Sequence, residues 1–181
     1  MLREISLAIA TATISLTSFI QSPVNANITA KYQIAQSSNQ VKGITIERLG
    51  IGGVKLDMSE AQVRKILGKP VKVENQFMPA IGKVRTLKYR GISIDLAEDF
   101  PENKFTVYQI KATSNKYATL DGVKVGDSPS KITRTYGNTD AYKEGNLTRL
   151  SYSIETPSPA GLNFTLEKGK ITEILCFYLM N

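Results

Sequence analysis

The chain has 181 residues, a formal net charge of +7, no His and a single Cys. Without His it lacks the commonest general base, the Ser-His and Cys-His dyads and most zinc sites. With one Cys no internal disulfide can form, so stability must come from an apolar core. The charges are scattered, with no basic block interleaved with stacking aromatics. That argues against nucleic-acid binding and favours acidic protein partners or a weak attraction to anionic envelope surfaces.

Arg3 precedes an uncharged stretch from Ile5 to Ile20 that is rich in Ala, Ile, Leu, Ser and Thr. Gln21-Ser22-Pro23 breaks it, and Val24-Asn25-Ala26 places small residues where a signal peptidase reads. This layout predicts a secretory signal over residues 1–26, cleaved near Ala26, with Ala30 and Ala35 as alternative sites. A retained N-terminal anchor helix is the competing reading, although the apolar core is short and hydroxyl-rich for a membrane span. No Cys follows the apolar run, so the expected product is unlipidated and free, either secreted or periplasmic. Residues 27–42 are polar and read as a flexible leader. The sequons at Asn27, Asn146 and Asn163 carry weight only in a eukaryotic secretory route.

The remainder contains an internal repeat, giving a first unit over residues 43–120 and a second over 121–181. Gly53-Val-Lys-Leu-Asp-Met-Ser-Glu-Ala-Gln-Val-Arg-Lys-Ile-Leu-Gly68 aligns without a gap on Gly122-Val-Lys-Val-Gly-Asp-Ser-Pro-Ser-Lys-Ile-Thr-Arg-Thr-Tyr-Gly137. Three further matches follow in the same order: Leu87-Lys-Tyr89 with Leu150-Ser-Tyr152, residues 91–96 with 161–166, and 104–106 with 170–172.

In chain order, Ile44 to Leu49 is a candidate strand of uncertain partner. Ser59 then caps a helix, with Gln62 completing a capping box and Met58 and Val63 forming a hydrophobic staple. Val63, Ile66 and Leu67 form the buried stripe, and Gly68 with Pro70 ends the helix. Strands follow over Val71–Glu74, Val84–Tyr89, Ile92–Leu96 and Phe105–Ala112. In the second unit Ser128 caps, Pro129 takes the first helical position and Gly137 stops the helix. Strands are expected over Asp140–Lys143, Leu147–Ile154, Leu162–Leu166 and Ile171–Met180. The fold class is therefore α+β: two tandem repeats, each a short helix or helical hairpin on an antiparallel four-stranded meander sheet.

Alternation assigns the faces. Leu87, Tyr89, Ile92, Ile94, Leu96, Leu150, Tyr152, Leu162, Phe164 and Leu166 point toward the helices. Lys88, Arg90, Ser93, Asp95, Arg149, Ser151, Ser153, Asn163 and Thr165 take the opposite phase, which reads either as a solvated face or as a recognition surface. In the second reading Lys88, Arg90 and Arg149 meet carboxylates or phosphates of a partner. The last strand departs from this pattern, because Leu175, Phe177 and Leu179 are apolar where the first unit has Gln109, Lys111 and Thr113. Either these residues are covered by the leader or the neighbouring repeat, or Leu175 and Phe177 form a patch for a partner.

Other chemistry is sparse. Cys176 lies mid-strand among apolar neighbours and reads as an inert core thiol. Asp95, Glu98, Asp99 and Glu102 read as a solvated acidic turn rather than a metal site or acid/base pair. Ser128-Pro-Ser-Lys131 matches the S-x-x-K nucleophile motif, but the S-D-N and K-T-G partner motifs are missing and its mate Ser59 is a helix cap. No catalytic residue, metal or cofactor is expected.

The unit Gly-Val-Lys-x-x-x-Ser-x-x-x-Val-x-x-x-Leu-Gly-x-Pro, followed by Leu-x-Tyr and a β-meander, resembles a superfamily. It includes the small outer-membrane lipoproteins of the SmpA/OmlA family and the tandem-repeat β-lactamase-inhibitory proteins. The resemblance covers residues 53–112 and, more weakly, 122–180. It implies a continuous sheet surface presented to a protein partner. The functional expectation is thus a non-catalytic binding module, with a structural or assembly factor of the envelope as the alternative.

Overall fold

A computed structural model describes residues 43–99, 102, 104–154 and 159–179, and the expected signal and leader lie outside them. The first described element is a single 3-10 turn at Ile46–Arg48, where a strand was expected over Ile44–Leu49. The N–H groups of Arg48 and Leu49 turn back onto the carbonyls of Thr45 and Ile46 (3.0 and 3.1 Å), leaving no ladder to form. Arg48 holds this turn in place. Its Nε donates to both Asp121 carboxylate oxygens (3.1 and 3.2 Å), and its guanidinium lies 5.2 Å from the centroid of the Tyr136 ring.

A two-residue hairpin follows, β1 (Gly50–Ile51) and β2 (Val54–Lys55). Both turn residues are left-handed, Gly52 at φ 64° and Gly53 at φ 82°, conformations that disfavour a side chain. This hairpin pairs with the segment before the second helix, through a bridge between Ile51 and Thr119.

Helix α1 (Glu60–Leu67) carries the full capping box at Ser59 and Gln62 and ends at Gly68, as the sequence indicates. Its stripe is narrower than expected. Val63 is fully buried and Leu67 partly, but Ile66 is 43% exposed. Ile66 lies about 60° around the helix from Val63, outside the row that meets the sheet. Helix α2 (Pro129–Tyr136) starts at Pro129, but Ser128 makes no capping bond. Its hydroxyl instead lies 2.9 Å from that of Ser130, while Pro129 supplies a backbone preset for the first turn.

The remaining strands are β3 (Lys72–Met78), β4 (Gly82–Tyr89), β5 (Ile92–Asp99), β6 (Lys104–Ala112), β7 (Ala141–Glu144), β8 (Leu147–Ile154), β9 (Ala160–Glu167) and β10 (Lys170–Tyr178). The expected four-stranded sheets are instead one antiparallel sheet of eight strands, ordered β3-β4-β5-β6-β10-β9-β8-β7. The join is the β6–β10 pair, with Lys111 opposite Leu175 and Ile110 opposite Cys176. It places apolar Ile110, Ala112, Ile174 and Cys176, all fully buried, in the middle of the core. Two separate sheets would leave those four side chains at open edges, so joining them is favoured by burial.

Both helices contribute to one apolar cluster with the α-side of this sheet. Every residue assigned to the helix side in the sequence is buried or packs on that cluster. Tyr136, Tyr152 and Phe164 form its aromatic centre, with ring centroids 5.5, 5.6 and 6.2 Å apart. The two helix ends are tied down alike: Tyr89 donates to the Gly68 carbonyl at 3.2 Å and Tyr152 to the Gly137 carbonyl at 2.8 Å. The loops before the helices also dock alike. Residues 57 and 58 bond to Val107 on β6, and residues 126 and 127 bond to Ile171 on β10. Each of these strands carries an irregularity just beyond that contact, at Tyr108 and at Thr172.

Candidate functional site

The face of the sheet away from the helices is the candidate surface. Cross-strand partners share a face, so the pairing fixes its rows. One runs Lys72, Lys88, Ser93, Lys111, Leu175, Asn163, Ser151. The next runs Glu74, Thr86, Asp95, Gln109, Phe177, Gly161, Ser153.

The five residues singled out in the sequence fall as follows. Lys88, Leu175, Phe177 and Arg149 lie on this open face. Arg90 does not: it sits in the turn between β4 and β5, at the rim, because Tyr89 and Ile92 end the paired segment. Lys88 and Arg149 are five strand spacings apart, roughly 24 Å. They cannot grip one small anion and could only meet a macromolecule together.

Lys88 is exposed and its Nζ pairs with Glu74 at 2.7 Å. Lys72 pairs with the same carboxylate at 2.8 Å. Hydrogen bonds from Lys72 and Lys88 hold the Glu74 carboxyl at about 2, so it stays ionised. Arg149 faces Glu144 across the β8–β7 pair at 3.4 Å. Between these charges, Leu175 and Phe177 are half-buried. The Phe177 ring lies over Gly161 in the neighbouring strand, so closely that a Cβ there would come within 2.8 Å of Cζ. Part of the patch is therefore covered from within its own layer, and the rest faces outward.

The structure adds contacts that the sequence did not show. Asp95 accepts from Thr86 Oγ1 at 2.6 Å and from Gln109 Nε2 at 2.7 Å, forming a polar bridge beside Phe177. Tyr108, at the β6 irregularity, is only 8% exposed and brings its hydroxyl to within 4.0 Å of Met78 Sδ. Val84, on the same face, is buried with it at 1% exposure. An extra residue in a strand has no signature in hydrophobic alternation, so this apolar corner was invisible beforehand.

Of the acidic residues read as one turn cluster, Asp99 and Glu102 lie at the β5–β6 turn, and the other two take opposite faces of β5. Asp95 is on the open face, whereas Glu98 is across from Lys83 on the α-side, at 3.1 Å from its Nζ. Lys131 Nζ is paired with Asp127 at 2.8 Å, and Ser128 Oγ lies 2.9 Å from Ser130 Oγ. Cys176 is fully buried, and burial pushes its thiol up to about 12, so the reactive thiolate is suppressed.

No protein-family model and no curated protein matches this chain. Two solved structures match this chain in part. One is an extracellular protein containing an SCP domain from Bacillus anthracis str. Ames, at a TM-score of 0.45 and 10% identity over 77% of this chain. The chain spans 47% of that protein's length. The other is a candidate β-lactamase inhibitor protein from Streptococcus mutans, at a TM-score of 0.31 and 15% identity, covering 79% of this chain and 94% of that one. Among the described residues no helix is long and apolar enough to cross a membrane.

Proposed function

We propose that this chain is an exported, non-catalytic binding module that meets a protein partner through the open face of its sheet. The observation that carries the reading is the pair Leu175 and Phe177, partly exposed at the centre of that face and flanked by Lys88, Lys111 and Arg149. An apolar centre with a charged rim is the anatomy of a protein interface. We further read the two halves as tandem copies of one unit, related to the inhibitory proteins named above. The matching helix anchors at Tyr89 and Tyr152, the matching loop docks on Val107 and Ile171, and the irregularities at Tyr108 and Thr172 support this.

The test immobilises the purified chain and a Leu175→Lys/Phe177→Lys variant and exposes both to envelope and medium fractions. The reading expects one protein to be retained by the parent in high salt and lost by the variant, while the variant still unfolds cooperatively. Equal retention by both would remove the open face from consideration. The net charge of +7 favours a second reading, an envelope assembly factor drawn to anionic surfaces. That reading expects sedimentation with phosphatidylglycerol vesicles that disappears as salt is raised.

A further inference from the structure

We propose a second interaction surface, independent of the open face: the outer edge of β3 pairs antiparallel with the same edge of a second copy of this chain, about a two-fold axis at Asn75. The two edges of the sheet differ. β7 has four residues, all exposed, and ends in Lys143 and Glu144; a short charged edge resists pairing. β3 has seven residues, no Pro, and pairs with β4 without a bulge from Lys72 to Met78. It leaves Phe77 72% exposed and Val73 40% exposed. Those two share the α-side face with Asn75, since they stand opposite Lys83, Leu87 and Arg85. A straight edge of this length with two apolar side chains in water is a template for another strand.

The sequence of β3 is self-complementary in one register. With the axis at Asn75, all seven residues find partners. Val73 meets Phe77 of the second copy and Phe77 meets Val73, so both exposed apolar side chains are covered twice. Lys72 meets Met78 and Glu74 meets Gln76, so no like charges face each other. Asn75 meets its own copy; its Oδ1 already accepts from Arg85 Nε at 3.0 Å, which leaves its amide N–H groups to donate across the axis. Moving the axis to Glu74 sets two carboxylates against each other, which is destabilising in a cross-strand pair. Moving it to Val73 leaves Phe77 outside the ladder. The chain already makes one junction of this kind, since β6 and β10 join edge to edge and antiparallel with apolar side chains packed across them.

The experiment is sedimentation equilibrium of the purified full chain over a wide concentration range, with Val73→Glu, Phe77→Lys and the double variant. The proposal expects a reversible dimer in the parent and about tenfold or greater weakening in each single variant. It expects recovery in the double variant, where opposite charges face each other twice. A parent that stays monomeric overturns it, as does a dimer indifferent to both single changes, or one the double variant fails to restore. Should either single variant fail to fold, Asn75→Cys decides. Directly opposed Cα atoms lie about 4.5–5.5 Å apart, within disulfide range, so oxidation must yield a covalent dimer through that position. Its absence refutes the register.

Discussion

Gly161 offers a direct test of how the Leu175–Phe177 patch is built. Its backbone is ordinary extended strand, so an alanine there suffers no conformational strain. The added Cβ would, however, sit 2.8 Å from Phe177 Cζ, 3.1 Å from Phe177 Cε1 and 3.2 Å from the Tyr152 carbonyl oxygen. The ring must move. Overpacking of this kind costs about 1–3 kcal/mol, offset by about 0.4–1 kcal/mol because alanine restricts the unfolded chain. Gly161→Ala should therefore destabilise by about 1–2 kcal/mol, lowering Tm by roughly 3–7 °C for a chain of this size. In a Phe177→Ala background the ring is gone and only the Tyr152 carbonyl contact remains, so the same change should cost close to nothing. A double-mutant cycle by urea denaturation reads the difference, a coupling of about 1–2 kcal/mol. Equal costs of Gly161→Ala in both backgrounds would show that Phe177 does not rest on Gly161, and the account of a patch covered from within its own layer would fail.

Three further outcomes follow from the same structure. Ser59→Ala removes a complete capping box and should cost about 1 kcal/mol, whereas Ser128→Ala, which removes no capping bond, should cost at most a few tenths; comparable shifts in urea midpoint would contradict this. Burial raises the proton affinity of Tyr136 and Tyr178, the latter also through its hydrogen bond to Asp57, and of Cys176. Groups whose folded pKa is raised contribute fully below their unfolded pKa and lose that contribution as pH rises toward the folded value. Stability should thus decline steadily from about pH 9 upward, and a Tm unchanged between neutral pH and pH 11 would refute the burial of these groups. Cys176 should react with a thiol reagent only as fast as the chain opens; rapid labelling of native protein would place it outside the core.

Much of this architecture is legible in the sequence. Local signals show it where the physics is local: the Ser59 and Gln62 capping box, the glycines at 68 and 137 that end the helices, and the alternation that separates Leu87 and Ile94 from Lys88 and Ser93. Strand β8 falls on Leu147–Ile154 as expected, and the others differ mainly at their ends. Of the failures, two have a tertiary cause and one a local cause. Ile44–Leu49 alternates like a strand, but a strand needs a partner edge, and Arg48 finds Asp121 instead. Ser128 looks like a cap, yet its hydroxyl is taken by Ser130. Ile66 fits a helical stripe, but a helix of two turns buries only the row that meets the sheet.

A chain with one Cys and no His excludes, by composition alone, a His-based catalytic dyad and an internal disulfide, so the fold must be held by its apolar core. The sequence also determines which side chains share a face, because side-chain direction follows from period alone. The tertiary structure decides which strands are neighbours. Joining β6 to β10 sets Lys111 beside Leu175 and Gln109 beside Phe177, and it leaves β3 as the long outer edge with Phe77 and Val73 in water. Pairing of strands distant in the chain is settled by the total apolar area buried when the sheet closes, a quantity that no single segment contains.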